Sequence, residues 1–195
     1  MQRFLHHDQR RLRELLTELA EHGTAYRRRA YDLDDRLAAW LPIVYAYLRD
    51  RPRSASQAAA VDRLFNYLET ARRGVHPEQL EKVRTGRREM LTTAAFSVIN
   101  QASELLAGEL EGVDQLLAAA EDILTNAILS ARASDLLTDA HLTAAGTSLV
   151  GATNLWTIMT ALPQLSHIVR KLLLTVSPQD AHLLIFSAAG QWQES

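Results

Sequence analysis

The sequence contains no cysteine, and only two of its 21 basic residues are lysines, Lys82 and Lys171. Without cysteine the chain cannot form a disulfide framework, a thiolate zinc site, an iron–sulfur cluster or a cysteine nucleophile. Nearly all of the positive charge is therefore arginine, the side chain best suited to bidentate pairing with carboxylate or phosphate. A genome rich in G and C would produce the same arginine bias without any functional requirement.

Targeting and membrane signals are also missing. The first residues, MQRFLHHDQRRLRE, have no apolar h-region, and their acidic residues argue against a transit peptide, so we expect a cytoplasmic protein. Residues 140–169 lack any charged side chain and exceed the length of about 20 residues that a membrane span needs. However, threonine, serine and asparagine dilute the hydrophobicity of this run. We therefore expect no membrane partner, and instead a central helix that is covered on all sides.

The chain has 195 residues, of which 47% are apolar and 23% are charged, as is typical of a globular protein. Apolar residues recur with a helical period in almost every segment, and no segment alternates convincingly as a strand would. The sequence therefore predicts an all-α protein: a single-domain helical bundle over residues 1–195, with about seven to nine helices and no β-sheet.

Several predicted helix ends depend on glycine and proline. Gly23 is a plausible end for the first helix and Gly74 for the third, because glycine readily takes the left-handed conformation that follows a helix. Pro42 should kink or restart the second helix, since proline lacks a backbone donor. Residues 76–86, which begin with His-Pro-Glu, have the signature of a short capped helix.

In the second half, Gly108 and Gly112 are equally compatible with a break and with one long helix. Leu142, Leu149 and Trp156 recur every seven residues and predict one helix through the uncharged run. Ser177, followed by Pro-Gln-Asp, has the signature of a helix N-cap, and Gly190 should close the last helix.

The net charge of −2 conceals an asymmetry. Residues 1–90 contain 18 basic and 13 acidic side chains, whereas residues 91–195 contain 3 and 10. The sequence thus predicts a basic first half, about 1–90, and an acidic, apolar second half, about 91–195. The halves could complement each other, within one chain or between subunits, or the basic half could meet an acidic partner.

Arginines interleaved with tyrosine and tryptophan over residues 26–53, and a second basic cluster near residue 85, form a candidate partner surface. Arginine neutralises phosphate and aromatic rings stack on bases, so nucleic acid is the alternative partner. The candidate residues are Arg27, Arg28, Arg29, Arg36, Arg49, Arg51, Arg53, Lys82, Arg84, Arg87 and Arg88.

The segment Ala140-His141, followed by Gly151-Ala152, resembles at its two ends the pattern A-H-x-x-K-G and later G-A of histidine-phosphotransfer domains. In the middle of the pattern, Ala144 and Ala145 stand where that family has lysine and glycine. The resemblance implies a degenerate phosphotransfer-like signalling module, with His141 as the candidate phosphoacceptor.

Other kinds of site have weaker support. Residues 146–153 match the spacing of a phosphate-binding loop, but Ala152 stands at the position of its lysine and the context is helical. Glu14, Glu18 and His22 share a helix face, yet no Glu-x-x-His pair occurs to build a di-iron bundle. We therefore predict no metal, no cofactor and no catalytic residue. The favoured function is a non-enzymatic helical interaction or adaptor protein, a subunit of a larger assembly or a homo-oligomer, whose partner is another protein or a second copy.

Overall fold

A computed structural model describes residues 4–51, 53–77 and 86–191. These residues form eight α-helices, one short 3₁₀ turn and no strand. The predicted all-α bundle of seven to nine helices is confirmed. The helices are α1 (Leu5–Arg27), α2 (Leu33–Arg49), α3 (Ala55–Arg72), α4 (Arg87–Ala133), α5 (Asp139–Thr147), α6 (Leu149–Ala161), α7 (Ser166–Thr175) and α8 (Pro178–Gln191), with the 3₁₀ turn at Pro163–Leu165.

The chain divides into two compact units. The first unit is Arg11–Leu110, and the second combines Met1–Arg10 with Glu111–Ser195. The division falls inside α1 and α4, not at the change of composition near residue 90. The first unit contains 16 basic and 14 acidic residues and the second 5 and 9, so the charge asymmetry keeps its sign. The single domain stays a prediction.

In the first unit, neighbouring helices run antiparallel. Trp40 Nε1 donates to Glu18 Oε2 at 2.8 Å and ties α2 to α1. An ion pair between Arg72 and Asp34 joins the end of α3 to the start of α2. Ser54 Oγ donates to Glu109 Oε2 at 2.6 Å, which places the α2–α3 connection beside α4. Between the helices lies a core of fully buried leucines, which includes Leu12, Leu15, Leu37, Leu41, Leu48, Leu68 and Leu106.

In the second unit, α8 supports the other short helices. Both α5 and α6 pack against α8 and against each other, and α7 packs against α6. Gln9 Nε2 donates to Asp114 Oδ1 at 2.6 Å, which connects the first turns of α1 to the later part of α4. The fully buried side chains of this core include Leu124, Ile128, Leu155, Met159 and Leu172.

Three helices end in the same backbone motif, and one predicted end was wrong. Gly23 lies inside α1, which continues to Arg27. The N–H groups of Arg29 and Ala30 then donate to the carbonyls of Tyr26 and Ala25, with Arg29 in the left-handed region at φ 54°. This double bond pattern is a Schellman motif. The end of α1 therefore needs no glycine, because Arg29 takes the left-handed position.

The same motif closes α3 and α4. Gly74, at φ 77°, ends α3 as the sequence predicts, and Asp135, at φ 57°, takes that position after α4. Between Arg87 and Ala133, α4 is continuous through both glycines, so the alternative of one long helix holds. Pro42 lies within α2, which neither ends nor restarts there. The predicted short helix at 76–86 falls largely outside the described residues.

The uncharged run differs most from its prediction. The expected single, fully covered helix is instead α5 and α6, separated at Ser148, which takes an extended backbone at φ −156° and ψ 150°. Ser148 Oγ accepts from the Gly151 N–H at 3.0 Å and so caps α6. Many side chains of the run are exposed to solvent. The prediction of one helix from the seven-residue spacing was wrong, because Ser148 ends α5 and its side chain caps the first turn of α6.

Within the described ranges, no single helix is long and apolar enough to cross a membrane. One bent pair, Pro163–Thr175 with Pro178–Gly190, meets the length and composition criterion together, with an angle of 111° between its two parts.

Candidate interaction surfaces

Three segments that carry exposed arginines meet at one end of the first unit, which we call the basic end. Arg87 donates to the backbone carbonyl of Arg72 at 3.1 Å, and the Arg88 guanidinium lies 4.3 Å from the ring centroid of Tyr31. Tyr31 is itself 84% exposed. The structure thus brings together part of the predicted basic set: Arg27, Arg28, Arg29, Arg36, Arg87 and Arg88, joined by Arg72 and Arg73.

Acidic side chains neutralise part of the basic end. Asp32 Oδ2 accepts from Arg36 Nε at 2.8 Å, and this hydrogen bond lowers the pKa of the exposed Asp32 carboxyl. Arg72 pairs with Glu69, Asp34 and Asp35; its hydrogen bond to Glu69 and the three negative charges raise its pKa. The positive charge that remains belongs mainly to the other exposed arginines.

The remaining arginines of the predicted surface lie at the opposite end of the unit. Arg51 is only 3% exposed; its guanidinium lies 4.7 Å from the Tyr47 ring centroid and 3.4 Å from a Glu109 carboxylate oxygen. It belongs to the packing of the α2–α3 connection, not to an exposed surface. Arg49 and Arg53 are exposed. Lys82 and Arg84 lie outside the described residues.

His141 is part of a helix cap. Its Nδ1 accepts from the Thr138 N–H at 3.3 Å, while its own N–H donates to Thr138 Oγ1 at 3.4 Å. The ring is half-buried in the first turn of α5. A neutral imidazole that accepts through Nδ1 carries its proton on Nε2. This tautomer leaves no free lone pair on Nε2, so the geometry gives the phosphotransfer interpretation no support.

The face of Glu14, Glu18 and His22 has internal partners. Arg11 pairs with both glutamates, and Glu18 also accepts from Trp40. The His22 ring meets the Trp40 ring edge-on at 5.5 Å, and burial, aided by the charge of Arg36, lowers the pKa of His22. Among the residues that the structure describes, no group of three or more His, Asp or Glu side chains could hold a metal ion.

A surface without charged side chains covers α6 and the part of α5 that follows Asp139. On each helix the exposed residues recur at intervals of three or four, which places them on one side. Because the two helices pack on each other and on α8, we infer that their exposed stripes adjoin. Asp139, the exposed first residue of α5, lies at the edge of this stripe and pairs with Arg132. The charge-free face begins after Asp139 and consists of Ala140, Thr143, Ala144, Thr147, Leu149, Val150, Thr153, Asn154, Thr157, Thr160 and Ala161.

The threonine hydroxyls of this face are largely satisfied inside their own helices. Thr147 and Thr153 donate to the carbonyls of Ala144 and Leu149 at 3.0 and 2.9 Å. Thr157 and Thr160 donate to the carbonyls of Thr153 and Thr157 at 2.9 and 2.8 Å. Their hydroxyl protons need no water, so burial of these side chains would strand few donors. Burial of this face should therefore cost less free energy than its number of hydroxyl groups indicates.

One buried carboxylate organises the second unit. Asp180 is completely buried and accepts from the backbone N–H groups of Leu5, His6 and Ser177, from Ser177 Oγ and from the His6 ring, where Nδ1 lies 2.7 Å away. Burial alone would raise the pKa of Asp180, but these hydrogen bonds together lower it. The predicted Ser177 cap is confirmed, since Ser177 Oγ accepts from the Asp180 N–H at 3.1 Å.

The spacing of the threonines in the sequence indicates the charge-free face, although the composition of the segment does not. Threonines 143 and 147, and 153, 157 and 160, follow helical spacing, which indicates a stripe and not a scattered dilution of an apolar run. The role of Asp180 at the start of α1 had no such signal, because the two segments lie 175 residues apart.

The chain matches no protein-family model, no curated protein and no solved structure.

Proposed function

We propose that this chain is a non-enzymatic helical interaction protein that pairs with a second copy of itself through the charge-free face. The observation that carries the proposal is an exposed stripe in which no residue from Ala140 to Ala161 is charged, and on which four threonine hydroxyls donate to their own helix. Its one charged neighbour at the edge, Asp139, is paired with Arg132. Depletion of charged residues is one of the features that distinguish the core of a protein interface from ordinary surface.

The apolar side chains of the face supply a driving force for association. Val150 is 71% exposed and Leu149 is 50% exposed, both at the first turn of α6. Burial of a valine or leucine side chain stabilises a complex by about 1.5–3 kcal/mol relative to exposure. The alanines and threonine methyls around them add area at little cost in side-chain entropy.

A second copy suits this surface because a two-fold interface brings each surface against itself. A face with charges of one sign would repel itself in such a pair, whereas the charge-free face meets itself without repulsion. The short side chains also let the backbones of facing helices approach closely.

The experiment introduces a charge into the face. Val150→Glu and Thr157→Glu should each weaken self-association at least about tenfold, because an unpaired carboxylate would become buried in the interface. Both positions are exposed, so the fold of the monomer should be retained, as checked by circular dichroism. Sedimentation velocity over a range of concentrations measures the association.

The matched control is Leu174→Glu. Leu174 is 85% exposed on α7 and lies outside the charge-free face, so this change also replaces an exposed apolar residue with glutamate. Association should be unchanged in this variant. The proposal fails if Leu174→Glu disrupts the dimer while both face variants pair like the wild type.

Nucleic-acid binding is the second candidate function, and the basic end is the observation that favours it. Arginines from three segments gather there around the exposed Tyr31, whose ring could stack on a base. Replacement of Arg27, Arg28 and Arg29 by glutamine should weaken binding of a labelled 20-mer oligonucleotide and reduce its salt dependence. The paired substitution of Arg49 and Arg53, at the opposite end, is the control. Absence of any polarisation change at low salt would remove this candidate.

A further inference from the structure

A groove of about 490 Å³ lies in the first unit, between the last turns of α1 and the start of α2. Its alanines, Ala20, Ala25 and Ala30, provide small apolar lining, and its charged groups are Glu21, Arg28 and Arg36. The Schellman turn after α1 builds one end, because the Ala30 N–H donates to the Ala25 carbonyl at 3.0 Å. The volume falls in the range of about 300–1,000 Å³ found for small-molecule sites.

The hydrogen-bond inventory of the groove defines what a ligand must offer. Two threonines line it, but Thr17 Oγ1 donates to the Arg13 carbonyl and Thr24 Oγ1 to the Ala20 carbonyl, so their protons are engaged. The side-chain donors that remain are the guanidinium groups of Arg28 and Arg36. Glu21 is the acidic acceptor.

The two arginines are prepared in different ways. Arg36 Nε is held by Asp32 at 2.8 Å, which leaves the Nη groups of Arg36 for a ligand. Arg28 is exposed and forms no ion pair or side-chain hydrogen bond with any residue in the described part of the chain. Glu21 accepts no hydrogen bond from those residues either. Two guanidinium groups and one carboxylate thus line one concavity.

We propose that this groove binds a small phosphorylated hydroxy compound. Arg28 and Arg36 bind the phosphate, and Glu21 accepts a hydrogen bond from a hydroxyl group of the ligand. A phosphate has three terminal oxygens and a charge of about −1.5 to −2, which suits two guanidinium forks better than a single carboxylate does. The acceptor at Glu21 favours a ligand whose carbon chain carries a hydroxyl group away from the phosphate, which inorganic phosphate lacks. This site is independent of the charge-free face.

The test is an NMR titration of the full chain, labelled with ¹⁵N, with glycerol 3-phosphate, and with glycerol as the neutral counterpart. Glycerol 3-phosphate should shift the backbone amides of Ala20, Ala25 and Ala30 in a saturable manner, and glycerol should not. Arg28→Gln and Arg36→Gln should each weaken binding at least about tenfold. Arg63→Gln, which changes an exposed arginine on α3 outside the groove, should bind like the wild type.

A further variant separates recognition of the hydroxyl from charge attraction alone. Glu21→Gln should strengthen binding of inorganic phosphate, because a negative charge is removed, and should narrow the preference for glycerol 3-phosphate over inorganic phosphate. No saturable shift with glycerol 3-phosphate up to millimolar concentration would overturn the proposal. So would equal weakening by Arg63→Gln, or binding of a 20-mer oligonucleotide at these arginines without binding of glycerol 3-phosphate.

Discussion

At the scale of single residues, Asp180 connects the two ends of the described chain. It accepts hydrogen bonds from the first N–H groups of α1 and, with Ser177, completes the N-cap of α8. The positive ends of two helix dipoles therefore meet one carboxylate, and the buried charge is stabilised by five donors. Replacement of one carboxylate oxygen by an amide NH₂ would leave the donors on that side without an acceptor.

We expect Asp180→Asn to destabilise the protein by about 3 kcal/mol or more at pH 7, because the new amide NH₂ faces backbone N–H groups. Chemical denaturation followed by circular dichroism measures the loss. The control is Asp139→Asn, an exposed aspartate paired with Arg132, which should change stability by less than about 0.5 kcal/mol.

The contribution of Asp180 should also depend on pH in one direction. Its hydrogen bonds hold its pKa in the folded protein below the ordinary value of 3.8, so the unfolded chain takes up the proton first as the pH falls. The stability from this carboxylate is fully present above pH about 3.8 and is lost as the pH drops through the lowered pKa. The difference between wild type and Asp180→Asn should therefore shrink only in that acidic window. A difference that stays constant down to pH 2 would contradict this account.

Gly151 is required by close packing. A Cβ atom at this position would overlap the backbone carbonyl of Ala144 and crowd the N atom of Ala145. Gly151→Ala should destabilise the protein by about 1–3 kcal/mol, since backbone cannot rotate away as a side chain can. Gly112→Ala, in the interior of α4 with open space around it, should instead stabilise by about 0.5–1 kcal/mol. Thermal unfolding of both variants distinguishes the two expectations.

At the scale of the elements, three helices share one C-terminal motif but fill its left-handed position with different residues. Gly74 takes this conformation at no steric cost, whereas Arg29 and Asp135 hold their side chains in a region that disfavours a Cβ atom. The surrounding structure therefore holds Arg29 and Asp135 in a left-handed conformation that their own side chains disfavour.

The change in stability on substitution at these positions should depend on the backbone conformation and not on the charge of the side chain. Arg29→Gly and Asp135→Gly should each stabilise the protein by about 0.5–1 kcal/mol, and Gly74→Ala should destabilise it by about 1 kcal/mol. Arg29→Ala removes the same charge but retains the strain, so it should leave stability nearly unchanged. Denaturation midpoints provide the measurement; equal effects of Arg29→Gly and Arg29→Ala would refute the argument.

These helix ends also show how far the sequence determines the elements. Gly74 and the Ser177 cap are predictable because a single residue satisfies the local chemistry. The end of α1 is not predictable in this way, because Gly23 is a suitable C-terminal residue and the helix nevertheless continues to Arg27. The break at Ser148 was hidden by a heptad period, although serine is among the strongest N-cap residues.

At the scale of the whole molecule, helical class and helix number follow from periodicity, but surface assignment does not. The lack of charge in the uncharged run predicts a buried helix. Its actual exposure depends on which neighbouring helices cover α5 and α6, and no local sequence pattern specifies those neighbours. The basic residues likewise lie at two opposite ends of the first unit. Antiparallel packing brings together segments that are far apart in the sequence and places the two ends of each helix at opposite ends of the unit.

The central claim is that an exposed face without charge is an interface between copies of this chain. Sedimentation velocity of the wild-type protein across about 1–100 μM tests it most directly. We predict that the weight-average sedimentation coefficient rises with concentration from the value of the 21.8 kDa monomer to that of a dimer. A monomer at every concentration would contradict the claim.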